Sequence, residues 1–260
     1  MNERLKALLY PLFGIAVLLA LWFAAVRVFK VPNYILPSPE SVAVALKIGY
    51  IDGLYWKHFA YTLQSMAIGY VIGCSIAFTL GCLFAESRTV EQLFSPIVVS
   101  FQSMPKVALA PLILVWFGFD LASKVVMVAL VCFFPMFVNT VVGLKSTNPA
   151  IIDLMRAFSA SRFHILMRIK VPSAAGHLFA GLQIAIVMSL IGAVVAEFVS
   201  STRGLGYLIS AAAGNMDTSA MFAGLASLAF IGIVSSALVR WVQRKVVFWE
   251  RAPTEQGLVE

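Results

Sequence analysis

The sequence predicts an all-α polytopic membrane protein with six transmembrane helices. Three observations carry that reading. Of the 260 residues, 61% are apolar and only 12% are charged. A soluble domain carries about 25% charged residues and needs them to cover its surface. Six apolar stretches, at about 7–28, 58–85, 93–117, 122–144, 177–199 and 219–247, are each long enough to cross a hydrocarbon core as a helix. No stretch alternates in the manner of a membrane barrel, so helices must satisfy the backbone in lipid. The same composition excludes a cytosolic globular enzyme and a disordered chain.

The first span follows Met-Asn-Glu-Arg-Leu-Lys and is apolar from Ala7 to Val26. That run is too long for a signal-peptide core, so an uncleaved span is expected. The connection 29–57 contains Ser38-Pro39, a cap followed by a first-turn proline, which predicts a short helix from Pro39. Span two carries Gly69, Gly73, Ala77 and Gly81, four apart, a row on which backbones can approach closely. Span three contains Pro96, Pro105 and Pro111, with Met104 and Lys106 near its middle. Its prolines free carbonyls that protein or water must satisfy. Lys106 reads either as a vestibule group or as a lysine reaching an interface. In span four, Pro135 lies one turn before Asn139, which suggests a kink beside a polar group.

The connection 145–176 is the more informative of the two. Asn148-Pro149 should start a helix in which Ile151, Ile152, Leu154, Met155 and Phe158 recur at helical spacing. Asp153 and Arg156 are placed to pair within one turn. Ser159-Ala160-Ser161 interrupts, and a second short helix is expected to run to about Val171 and end at Pro172. The exposed apolar residues fit either a lipid-lying loop or a docking knob for a partner. Span five carries Gly181, Ala185, Ser189 and Ala193 in one row, and Glu197 continues it, pointing toward protein or a cavity rather than lipid; the alternative is a Glu at the outer helix end that reaches water. Span six has a similar row at Ala220, Gly224, Gly232 and Ser236.

The formal charge is +7, but the basic residues sit between apolar runs, so topology rather than nucleic acid explains them. With the N-terminus inside, twelve Lys and Arg fall on the cytoplasmic side and six outside, which places both termini in the cytoplasm. Cys74, Cys82 and Cys132 lie in apolar stretches and make no CxxC pair, and His58, His164 and His177 form no evident cluster; no metal site is expected. The chain contains no GxSxG, HExxH or GxxxxGK[ST]. ATP must therefore be bound elsewhere if it is used.

The stretch from Asp153 to Ser161, then Pro172 and Gly181, resembles the EAA loop of ABC-type importer permeases. Two further stretches look like the nitrate/sulfonate/taurine branch of that family. They are Pro105 to Leu112 with Trp116-Phe-Gly118 and Lys124, and Glu197 to Ile209. Leu36-Pro37-Ser38-Pro39 is also typical. Asp153, Leu154 and Met155 stand where the motif has Glu-Ala-Ala, Gly176 where it has a second proline, and Ser159 where it has glycine. Serine accepts positive φ less readily than glycine.

The resemblance implies the type I ABC importer permease fold, with residues 1–260 as one transmembrane domain in a bacterial cytoplasmic (inner) membrane. It implies no enzyme activity and no bound cofactor, ATP being used by a partner. Its partners would be two ATP-binding cassette subunits, a second permease copy (homodimer), an extracytoplasmic solute-binding protein and membrane lipid. The ATPase-coupling residues would be Ile152, Asp153, Leu154, Met155, Arg156, Phe158, Ser159, Ala160, Ser161 and Pro172. Glu197, Met104, Lys106 and Asn139 are the candidates for the translocation pathway. A stand-alone channel or secondary carrier is the alternative.

Overall fold

The computed structural model describes residues Glu3–Trp249, with the side chains before Tyr10 and those of Pro11, Leu12 and Ser200 outside that description. Arg251 and the side chains of Arg4 and Lys6, which enter the orientation count, therefore lie outside the described residues. Among those described there is no strand. In chain order the helices are α1 (Glu3–Val28), α2 (Pro39–Ile51), α3 (Leu54–Glu86), α4 (Arg88–Ser103), α5 (Ala110–Phe117) and α6 (Leu121–Lys145). They continue with α7 (Pro149–Ala157), α8 (Arg162–Ile165), α9 (Val171–Ser173), α10 (Ala175–Ser200), α11 (Leu205–Gly214) and α12 (Thr218–Val246). A 3₁₀ turn, Lys106–Leu109, precedes α5, and a π turn, Leu166–Lys170, precedes α9.

Among the described residues α3, α6, α10 and α12 are each long and apolar enough to cross a membrane. The expected span 93–117 is not one straight helix. It is the pair α4 and 106–117, bent by 87°. Pro105 stands before the 3₁₀ turn and Pro111 in the first turn of α5, so helical hydrogen bonding cannot run through the junction. The first span is helical throughout Glu3–Val28, and its described apolar part is Phe13–Val28. Counting the bent pair once gives up to five spans by length and composition.

Two compact units emerge: residues up to Thr62 with Ser201–Ala229, and Leu63–Ser200 with residues from Phe230 on. In the first, Tyr55, Leu208 and Ala223 form a small core, and Tyr50 donates to Ser227 at 2.8 Å. Short α11 is pinned at its start, where the Leu205 amide donates to Thr62 Oγ1 at 2.8 Å and the Gly204 amide to His58 Nδ1 at 3.1 Å. Gly204 has φ of 105°, a conformation open mainly to glycine.

The second unit is built on small residues. A Cβ on Gly69 would meet Val128 at 2.5 Å, on Gly73 the Ala129 backbone at 2.6 Å, and on Gly81 Thr140 at 2.7 Å. Contacts that ascend together in both helices mean that α3 and α6 run parallel. The bent α4–α5 stretch must therefore carry the chain back across between them. Across α6 and α10 the order reverses: Gly181 faces Asn139 and Met136, Cys132 donates to the Ala185 carbonyl, and Gly192 faces Val128 and Val131. The predicted small-residue rows of spans two and five thus form the helix contacts of this wall.

Candidate functional site

The sequence singles out two places, the 145–176 connection and the bend with its neighbouring wall. Both lie in the second unit. In the connection, Asn148 Oδ1 accepts from the Ala150 amide at 2.9 Å and Pro149 opens α7, as its sequence predicts. The C-terminus closes as a Schellman motif: the Ala160 amide donates to the Met155 carbonyl at 3.0 Å and the Ser159 amide to Arg156 at 2.8 Å. That geometry requires a left-handed residue, and Ser159 supplies it with φ of 58°. Ser161 then caps α8, accepting from the His164 amide at 3.2 Å. Ser159-Ala160-Ser161 is therefore the bend, with a strained serine where glycine would be relaxed.

The expectation that Pro172 ends the second helix is corrected. Helical φ and ψ run through Val171, and Pro172 sits inside the turn α9, which leads through Ala174 into α10. The wider π turn just before it removes the need for a proline amide in the α-helical ladder, so the chain bends without stopping.

The coupling candidates divide between two faces of α7. Ile151, Leu154 and Phe158 lie at helical spacing on an exposed ridge, Phe158 at 76% exposure, and Phe163 continues it at 70%. Half-buried Ile152 lines a cleft of about 190 Å³ together with Ile165, Lys170, Glu86 and the more exposed Arg156 and Arg162. Met155 is half-buried. Lys170 Nζ donates to Glu86 at the end of α3 at 2.5 Å, and Lys145 at the end of α6 pairs with Glu91 in the first turn of α4. The first pair ties the base of the knob to α3, and the second joins the neighbouring ends of α6 and α4. Asp153 and Arg156 pair at 3.3 Å, as their spacing predicts, but both are solvent-exposed and the pair contributes little.

At the bend, Met104 caps α4 and is exposed. Lys106 Nζ reaches the Gln102 carbonyl at 3.4 Å and sits 4.6 Å above the Phe134 ring of α6. It is held by a cation–π contact across the bend rather than extended along α4. Asn139 donates back to the Pro135 carbonyl one turn earlier at 2.8 Å and packs against Gly181 of α10. Glu197 is 1% exposed and faces the protein, as its row predicts. The structure does not bring the four pathway candidates into one cluster; Met104 and Lys106 mark the bend, Asn139 and Glu197 the wall.

Lys124, marked in the sequence only by its motif, is fully buried in the first turn of α6. It donates to the Phe119 carbonyl at 2.6 Å and lies within electrostatic reach of Glu197 and Asp120. Among the described residues no group of His, Cys, Asp or Glu is arranged to hold a metal.

Residues 69–248 match the family described as "Binding-protein-dependent transport system inner membrane component". The chain belongs to that family. The permease is 37% identical over 245 residues to "Riboflavin transport system permease protein RibX" of Chloroflexus aurantiacus, covering 93% of this chain and 91% of that one. It is 32% identical over 249 residues to "Formylaminopyrimidine transport permease protein ThiX" of Halalkalibacterium halodurans, covering 96% and 99%. A solved inward-facing structure of the MetNI methionine ABC transporter matches with a TM-score of 0.59 at 17% identity, covering 73% of the permease and 97% of that chain. At that identity the likeness concerns the fold, which is that of type I ABC importer permeases. The chain is therefore an inner-membrane permease component of a binding-protein-dependent ABC transport system for a small solute.

Proposed function

We propose that two copies of the permease form one pore, with both termini in the cytoplasm, and that each copy acts as a single transmembrane domain. Two ATP-binding cassette subunits dock on the α7–α8 knob, and an extracytoplasmic solute-binding protein delivers the substrate on the other side. The permease performs no chemistry; ATP is hydrolysed by the docked subunits. The observation that carries this reading is the knob itself. Its apolar ridge (Ile151, Leu154, Phe158 and Phe163) is exposed, and its base is tied by Lys170–Glu86 to the end of a spanning helix. Burying such side chains on a partner is favourable by roughly 1.5–3 kcal/mol each. The short, locally capped helix gives that partner something rigid to push.

Met104 and Lys106 at the bend are the residues proposed to meet the solute, with Asn139 and Glu197 supporting them from the wall. Relatives carry names for riboflavin, formylaminopyrimidine, aliphatic sulfonates and taurine, all small solutes of differing charge. We infer a small organic solute for this permease, chosen mainly by the binding protein.

The experiment is reconstitution of the permease with its ATPase and binding protein in proteoliposomes. Uptake should require ATP, the ATPase and the loaded binding protein together. Uptake driven by an ion gradient alone, with no ATPase present, would contradict the reading and favour a secondary carrier.

A further inference from the structure

The wall contains two buried charged side chains, the only such among the described residues: Lys124 at 0% and Glu197 at 1% exposure. The register of the antiparallel α6–α10 contact brings them together. Asn139 faces Gly181, Cys132 faces Ala185 and Val128 faces Gly192. One further turn of each helix sets Lys124 opposite Glu197. The apolar cluster directly beneath places Met127 and Ala196 together with Ala110 and Ile113 of α5. The pair therefore sits where α5, α6 and α10 meet.

Charge compensation alone does not explain it. A buried ion pair is heavily desolvated, and well-packed apolar side chains of similar volume often serve stability as well or better. What apolar residues lack is a donor. The turn from α5 into α6 passes through Gly118 at φ 78°, and Asp120 makes no side-chain cap at the start of α6. The turn is instead held by donors from α6: Lys124 Nζ to the Phe119 carbonyl at 2.6 Å, and Ser123 Oγ to the Asp120 carbonyl at 3.0 Å. Helix α5 has only eight residues and no side-chain cap at its own start. A helix so short is marginal by itself and takes its position from its anchors.

We propose that Lys124 and Glu197 form one positioning unit that fixes α5. Glu197 neutralises and orients Lys124 across the α6–α10 contact, and Lys124 holds the Phe119 carbonyl at the end of α5. The bend carrying Met104 and Lys106 is thereby held in place against the wall. Lys124 and Glu197 are positioning residues, and neither needs to touch solute. The transport consequence rests on the permease reading; the positional consequence does not.

The test uses the assembled transporter, with Cys74, Cys82 and Cys132 replaced by alanine and nitroxides placed at exposed Val115 of α5 and Val199 of α10. Pulsed electron resonance reads the distance between them with no ATP or solute present. Three variants are compared with wild type: Lys124→Arg, Lys124→Met and the double variant Lys124→Met/Glu197→Gln. Should the single neutralisation fail to assemble, the uncharged and near-isosteric double variant carries the test. The double variant should keep a thermal midpoint close to wild type, because no charge is left unpaired. Its distance distribution should nevertheless broaden about twofold, and its maximal uptake rate should fall about tenfold or more at unchanged KM for loaded binding protein. Arginine, which keeps both the charge and the donor, should preserve the narrow distribution and most of the uptake. A double variant with the wild-type distance and uptake would overturn the proposal and leave the pair as a replaceable filler. A wild-type complex that shows the narrow distance but no ATP-dependent uptake would instead sink the permease reading and leave this one standing.

Discussion

The α7–α8 knob and the α6–α10 wall are built by opposite means. The knob is local. Asn148, Ser161 and the Schellman closure at Ser159 satisfy its backbone ends within a few residues of sequence. Its ridge of Ile151, Leu154 and Phe158 touches little and lies exposed. The wall is non-local. Its helices approach through Gly69, Gly73, Gly81 and Gly181 over distances that leave no room for a Cβ, and its charged pair is sealed inside. A surface meant for a moving partner gains from rigidity that does not depend on distant contacts. A surface that must stay shut to lipid gains from close backbone packing. Damage to the wall's close backbone contacts should therefore show first as lost stability, and damage to the knob as lost coupling in a stable protein.

The largest effect that sharpens this contrast is expected at Gly73. Leucine there must displace the Ala129 backbone, which would lie only 2.6 Å from the new Cβ. Overpacking against backbone should cost about 3 kcal/mol or more, and the thermal midpoint in detergent should fall to the point of poor recovery. A Gly73→Leu permease as stable as wild type would break the account of the wall. Next comes Ala160→Trp in the bend of the knob. It should leave the thermal midpoint nearly unchanged while lowering ATPase recovery in a detergent pull-down about tenfold. Equal recovery and equal substrate-stimulated hydrolysis would show that the knob is not the coupling element. A smaller effect of opposite sign is expected at Ser159, whose φ of 58° suits glycine. Ser159→Gly should raise stability by about 1 kcal/mol at unchanged coupling, read by the same melt and pull-down. The smallest belongs to the exposed Asp153–Arg156 pair: Arg156→Ala should move stability by less than about 0.5 kcal/mol.

The same contrast explains what could be read in the sequence. Caps at Ser38 and Asn148 and the interruption at Ser159-Ala160-Ser161 were legible because each is encoded by residues within one turn of the feature. The small-residue rows were legible as contact faces, and so was the inward direction of Glu197. The partner of each row was not, because α6 is apolar on nearly every side and its sequence does not mark which face meets α10. Lys124 was hidden for that reason; it sits at a helix start, where a lysine ordinarily reaches water. Pro105 and Pro111 signalled a break but not its 87° angle, which depends on packing against α6 and α10; Pro96 makes no break and lies inside α4. Helix α11 was missed because ten residues are half a span, and its amides are satisfied from α3, far away in sequence. Pro172 misled because a π turn absorbs it.

The central claim is that the knob transmits ATP-driven motion to a pore, and Phe158→Asp tests it most directly. The residue is 76% exposed and caps α7 through backbone bonds alone, so the substitution should not disturb the fold. The measurement is ATP-dependent solute uptake in proteoliposomes containing the permease, the ATPase and the loaded binding protein, with the thermal midpoint of the permease read in parallel. The account predicts an unchanged midpoint and a loss of uptake of about tenfold or more, the cost expected when an exposed aromatic anchor is replaced by a charge that must be desolvated on docking. Uptake at the wild-type rate from the Phe158→Asp permease would contradict it.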